Sequence, residues 1–188
     1  MALVTTPGLR GVLVLVALSQ ASGEYFPLKA GSRWTYENGE GREEVKTVGE
    51  KKEISGKEYW SISNAVPGLA SKPTLVAVRP TGVYFYGEHN QVEVQWLPLP
   101  CKPGDKWKFS APAGNVDSEA VAVEQVNVPA GKYTCLKVKS TIAASAGSLE
   151  ITTWYALGVG EVQSEVVFKE GEDTKKLSRK LKKAELSE

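Results

Sequence analysis

Residues able to do chemistry are sparse in this sequence, and their spacing narrows the options. The one histidine, His89, lies in Gly87-Glu-His-Asn-Gln91 between two apolar runs. Any Ser-His-Asp relay would have to pass through it, and a polar-loop histidine is more simply a solvated turn residue. Glu43, Glu44, Glu50 and Glu53 are spread along an alternating run, which predicts exposed strand faces. A paired-carboxylate site needs no adjacency in sequence, but nothing here singles out a pair. No Cys-x-x-Cys, Gly-rich phosphate loop or zinc spacing occurs. Two cysteines and one distant histidine also fall short of the ligands zinc takes. The expectation is a protein that is not an enzyme, with no catalytic residue, no metal and no cofactor.

Aromatic side chains are the more suggestive class. Trp34, Trp60, Trp96, Trp107 and Trp154 all fall in β-like runs, with Tyr36, Tyr59, Tyr84, Tyr86 and Tyr155 near them. Inside a curved sheet such residues can line an apolar cavity able to hold a lipid or acyl chain, or they can simply fill the interior. Trp34, Trp60, Trp107, Trp154 and Tyr155 are the ligand-lining candidates. Both readings stand at this stage, and recurrence of a tryptophan at equivalent places (below) favours packing.

The elements that must position these residues read as β throughout. Runs rich in Val, Ile, Thr, Tyr and Trp alternate with Gly, Pro, Asn and Asp punctuation. Strands are predicted at Arg33–Asn38, Arg42–Ile54, Glu58–Ala65, Thr74–Arg79, Val83–Glu88 and Val92–Leu97. A second set follows at Lys106–Ser110, Ser118–Val128, Tyr133–Ile142, Leu149–Ala156 and Glu161–Lys169. Tight turns join them, as at Ser55-Gly-Lys57, Pro80-Thr-Gly82 and Pro129-Ala-Gly-Lys132. Val121 and Val123 share one face of a strand, as do Leu136 and Val138, which predicts one buried and one wet face and antiparallel pairing. An all-β fold is expected, an up-and-down antiparallel sheet of about ten strands curled into a barrel or half-barrel. Leu177, Leu181 and Ala184 fit a helical stripe, although Leu177 and Leu181 also share a strand face. The turn-like Gly171-Glu-Asp173 favours a final, Lys-rich edge strand whose lysines discourage further pairing.

The second half of the chain loosely repeats the first. Phe26-Pro-Leu-Lys-Ala-Gly-Ser-Arg-Trp-Thr-Tyr36 aligns with Leu99-Pro-Cys-Lys-Pro-Gly-Asp-Lys-Trp-Lys-Phe109 at a constant offset of 73. Pro27, Lys29, Gly31, Trp34 and Tyr36 thus match Pro100, Lys102, Gly104, Trp107 and Phe109. A single β-domain over residues 24–188 is expected, built of two similar halves (about 25–97 and 98–170) plus the C-terminal strand.

Residues 1–23 read as a signal peptide, with Arg10, a short apolar run over 11–18 and small residues at Ser19-Gln-Ala21. The run is shorter than the roughly 20 residues of a membrane-spanning helix, and no cysteine follows it to carry a lipid. The expectation is export, to the periplasm or outside the cell, with no transmembrane segment in the mature chain. Of the 23 Lys and Arg residues only Arg10 would be lost, leaving 22 against 22 Asp and Glu. That balance argues against nucleic acid as a partner, which calls for a sustained positive field. In an exported chain the pair Cys101 and Cys135 is expected to form a disulfide. The halves strengthen this: Cys101 stands where Leu28 stands, so a covalent contact could replace an apolar one.

Four segments carry a family resemblance: Tyr25-Phe-Pro-Leu-Lys-Ala-Gly-Ser-Arg-Trp-Thr-Tyr36, Val128-Pro-Ala-Gly-Lys-Tyr-Thr-Cys-Leu-Lys-Val138, Trp154-Tyr-Ala-Leu-Gly-Val-Gly-Glu-Val162 and Ser164-Glu-Val-Val167. The chain resembles uncharacterised exported bacterial β-domains marked by Gly-x-x-Trp-x-Tyr and Trp-Tyr-x-x-Gly-Val-Gly. It departs at Leu157, where the pattern would place proline. The resemblance implies a curled antiparallel sheet similar to the periplasmic lipoprotein carriers, and transfers no catalytic residue. Two functions follow as expectations: binding of a lipid, acyl ligand or lipidated partner in the concave face, or a structural module contacting another envelope protein.

Overall fold

The computed structural model describes residues 25–65, 72–88, 91–111, 114–144, 147–171 and 173–187. The signal-peptide reading and His89 lie outside the described residues. Twelve strands follow one another in the chain: β1 (Arg33–Asn38), β2 (Glu43–Ile54), β3 (Lys57–Ala65), β4 (Thr74–Arg79), β5 (Gly82–Gly87), β6 (Val92–Pro98), β7 (Lys106–Ala111), β8 (Gly114–Val128), β9 (Gly131–Ala144), β10 (Gly147–Ala156), β11 (Gly160–Glu170) and β12 (Asp173–Glu185). Every ladder is antiparallel, and consecutive strands pair with each other except β6 and β7. β12 then pairs with β1, Trp34 opposite Ala184 and Tyr36 opposite Leu181. The result is the expected up-and-down sheet, curled into a nearly closed barrel, with twelve strands against the about ten expected.

The C-terminal segment is a strand, but the edge placement is wrong. β12 lies between β1 and β11 and closes the barrel. Leu181 explains why. Its side chain is fully buried among Trp34, Tyr36 and Val162, so an inward apolar residue draws the strand into the sheet. The true edges are β6 and β7. No ladder joins them; Trp107 Nε1 donates to the Trp96 carbonyl oxygen at 3.0 Å, and the Trp96 and Phe109 rings stand 5.5 Å apart across the seam.

The matched turns at Gly31 and Gly104 carry the same three backbone hydrogen bonds. Gly31 N–H donates to Val48 O and Gly104 N–H to Ala120 O; Ser32 N–H donates to Lys29 O and Asp105 N–H to Lys102 O; Val48 N–H donates to Ser32 O and Ala120 N–H to Asp105 O. Both glycines hold positive φ, +85° and +94°, a region where a side chain is strained. Just beyond each contact the ladder shifts register, between Val48 and Lys51 in β2 and between Ala120 and Ala122 in β8.

One expectation is corrected on β8. Leu136 and Val138 are buried, but Val121 and Val123 are 43% and 54% exposed. Alternation runs unbroken along this strand, with Val116, Ser118, Ala120 and Val126 turned to the core, so the two valines fall on its outer face.

The disulfide is also absent: Cys101 and Cys135 are buried free thiols. They belong to different clusters of the core. Cys101 packs with Leu97, Leu99 and Leu136, whereas Cys135 packs with Trp34, Trp154 and Val162. Each acts as a small apolar side chain, and burial pushes both thiols up to about 11.

Candidate functional site

The concave side of the barrel holds a partly open cavity of about 730 Å³. Strand parity decides what faces it. Trp34 and Tyr36 of β1, Glu44 and Lys46 of β2, and Ile62 and Asn64 of β3 each alternate onto the inner face. Thr74, Val76, Phe85 and Trp96 continue the wall through β4 to β6, and Ile151, Thr153 and Tyr155 of β10 stand among the lining residues from the other half. Phe26 and Leu28, from the segment before β1, also reach the cavity. Phe26 lies 5.3 Å from the Tyr155 ring, Phe85 sits edge-on to Trp96 at 5.0 Å, and Trp96 Nε1 donates to Tyr155 Oη at 3.0 Å. This aromatic wall is apolar apart from hydroxyl and indole groups that satisfy each other.

The two signature motifs meet here, which explains their residue types. Trp34 Nε1 donates to the Val159 carbonyl oxygen at 2.6 Å, and Tyr36 Oη donates to the Glu161 carbonyl oxygen at 3.0 Å. A side chain at Gly160 would lie 3.6 Å from Pro27 and 3.7 Å from Trp34 Nε1, on a backbone with φ +98°. Gly-x-x-Trp-x-Tyr therefore docks on Gly-Val-Gly and ties the start of the barrel to its β10–β11 turn.

One part of the wall is charged. Glu161 Oε2 accepts from Lys46 Nζ at 2.9 Å and from Arg179 Nη2 at 3.0 Å, while its Oε1 accepts from Arg179 Nε at 2.8 Å. Arg179 Nη1 donates to both oxygens of Glu44, at 3.1 and 2.9 Å. Lys46 and Arg179 also lie over the Tyr36 ring, 5.0 and 5.3 Å from its centroid. The Lys46 and Glu161 side chains are only 18% and 13% exposed. Burial alone would raise the Glu161 carboxyl, but Lys46 and Arg179 outweigh it and hold the group well below the usual carboxylate range. Burial lowers the Lys46 ammonium, with Glu161 opposing. Burial likewise raises the Tyr36 phenol, and neighbouring Glu161 adds to the rise.

The cavity gathers two of the five candidate lining residues, Trp34 and Tyr155. Trp60 is half-buried against the cluster around Val48 and Leu181, with Lys51 Nζ 5.2 Å from its ring. Trp107 covers the β6–β7 seam. Trp154, next to Tyr155 and of opposite parity, donates to Glu124 Oε1 at 2.6 Å. These three pack the fold and do not line the cavity. Glu44, read as exposed, is half-buried and paired. The Lys46–Glu161–Arg179 cluster was not anticipated; its available signal was parity, since Lys46 falls two residues before Val48 and Arg179 two before Leu181.

Among the described residues no group of three or more His, Cys, Asp or Glu is placed to hold a metal ion, and no helix is long and apolar enough to cross a membrane. No curated protein matches the sequence. Residues 108–177 match the family model described as DUF3108-like. A Bacteroides fragilis protein assigned as exported, with a YmcC-like fold, superposes with a TM-score of 0.50 at 17% identity, over 86% of this chain and 99% of its own. A Parabacteroides distasonis protein assigned as a lipoprotein superposes with a TM-score of 0.53 at 12% identity, over 86% and 98%. The chain is thus similar in fold to these two proteins and, over 108–177, similar in sequence to the DUF3108-like family, in agreement with the resemblance carried by its motifs.

Proposed function

We propose that this is an exported, non-enzymatic β-domain that binds an apolar ligand, a lipid or acyl chain, inside its barrel. The observation that carries the reading is the cavity of about 730 Å³ walled by Phe26, Leu28, Ile62, Val76, Phe85 and Trp96. Its volume lies within the range of small-molecule sites, roughly 300–1,000 Å³. Its partly apolar, partly polar wall suits a ligand with both characters. Export is supported by the assignments of the two structural neighbours and by the character of residues 1–23.

The test is native mass spectrometry with lipid extraction on protein purified from an exported preparation, beside the cavity-filling variants Ile151→Trp and Val166→Trp. Both positions line the cavity at half-buried sites. A stoichiometric acyl species, reduced in variants that still fold, is the expected result. A ligand-free mass that persists through lipid challenge would overturn it and favour an envelope interaction module.

A further inference from the structure

Within the charged cluster the donors are unevenly spent. Arg179 commits Nε and Nη2 to Glu161 and Nη1 to Glu44. Glu161 accepts three charge-assisted hydrogen bonds. Lys46 Nζ carries three donors, and among the described residues it makes a single hydrogen bond, to Glu161. Beyond that bond its ammonium has the face of the Tyr36 ring, 5.0 Å away, which takes up no N–H donor in full, and a side chain only 18% exposed leaves little water to do so.

Resting on the reading that the cavity holds an apolar ligand, we infer that the ligand is a single-chain amphiphile whose terminal carboxylate seats on the Lys46 ammonium, its chain lying along Ile62, Val76, Phe85 and Trp96. Three observations select this chemistry. The cluster of Glu44, Lys46, Glu161 and Arg179 is electrically balanced, so it can accept one negative charge more readily than the two of a phosphate monoester. The guanidinium fork that favours phosphate is already filled by Glu161 and Glu44. The volume, at about 30 Å³ per water-sized group, holds roughly two dozen heavy atoms, which suits one chain.

The experiment compares dodecanoate, dodecan-1-ol and dodecylamine by titration calorimetry on wild type and Lys46→Met, with folding checked by circular dichroism. The wild type should bind dodecanoate about tenfold or more tighter than the alcohol, the worth of one added charge-assisted hydrogen bond. Lys46→Met should bring the acid down to the alcohol and leave the alcohol unchanged. Equal binding of acid and alcohol, or a preference for the amine on Glu44, would overturn the carboxylate and leave the cavity reading standing. Binding of none of the three would overturn both. Should Lys46→Met fail to fold, the three-ligand comparison on the wild type still decides.

Discussion

Replacing Glu161 with glutamine should be the most damaging single polar change in the barrel interior. The substitution keeps the side chain's shape and removes its charge, leaving Lys46 and Arg179 facing each other across the cavity wall. Glu161 accepts three hydrogen bonds from cations on a side chain that is 13% exposed. Removing one partner of a buried pair costs about 3–5 kcal/mol, because the remaining charge is uncompensated. The Gln oxygen can still accept from Arg179, which places the expectation at the lower end, about 3 kcal/mol. For a domain of this size that is a fall of roughly 6–12 °C in Tm. Urea unfolding followed by tryptophan fluorescence measures it, with an unchanged m-value showing that the same surface is exposed.

Two further readouts make the reasoning refutable. Lys46→Met should cost much less, since Glu161 keeps both bonds from Arg179 and the burial that lowers the Lys46 ammonium is relieved. The pH dependence has a fixed sign. The folded Glu161 carboxyl lies below its unfolded value, so its contribution is present above the ordinary glutamate pKa and lost as pH falls. The gap between wild type and Glu161→Gln should therefore narrow below about pH 4. A cost under about 1 kcal/mol, below the usual loss for a buried charge pair, or a Lys46→Met cost equal to that of Glu161→Gln, would show that Glu161 is not the hub.

Glu93 gives a second pH effect, on the outer face: its hydrogen bonds from Arg79, opposed by burial and helped by Tyr59, hold its carboxyl down at about 2. Stability of at most about 3 kcal/mol should be lost between about pH 4.5 and 2, and Arg79→Met should abolish that limb of the pH titration. Cys101 and Cys135, with thiols raised by burial to about 11, should resist a thiol reagent at pH 8 in the folded protein and react fully in denaturant; fast native labelling would contradict their burial. Gly104→Ala meets no atom within 4 Å and should cost only backbone strain, about 1–2 kcal/mol. Gly31→Ala should cost more by thermal melting, since its new methyl would lie 3.2 Å from Ser187 Oγ.

Period-two alternation and turn residues made the strand order legible, because they are local properties. The first strand, Arg33–Asn38, and the fourth, Thr74–Arg79, appear with the expected bounds. Closure was not legible. β1 and β12 are paired by residues about 150 positions apart, and only the burial of Leu181 decides that β12 is interior to the sheet. The two faces of a strand were legible from alternation, but which of them is inner was not: Val121 and Val123 share the outer face of β8, whose inner face carries Val116, Ser118 and Ala120. The tryptophans misled for another reason. A large aromatic is equally suited to lining and to packing, and Trp154 differs from Tyr155 by a single step along β10, which turns it to Glu124 and away from the cavity.

The matched turns show where the two halves part company. If the bond from Gly31 to Val48 answers the bond from Gly104 to Ala120, then counting back along the inner face sets Lys46 against Ser118 and Glu44 against Val116. In the second half those places are small or apolar. Val116 is buried, and the Ser118 hydroxyl spends itself on Ser140 at 2.7 Å. In the first half the same places hold the charges of the cavity wall. Interior volume divides by strand: Ala120, Leu136 and Val138 are buried in the core on β8 and β9, while the lining residues come from β1 to β6, from β10 to β12, from turns between them and from the segment before β1. Equivalent frames carry equivalent turns because the turns hold the sheet together. The difference between the halves is thus between β2 and β8: the inner face of β2 supplies Glu44 and Lys46, and their partners Glu161 and Arg179 come from β11 and β12.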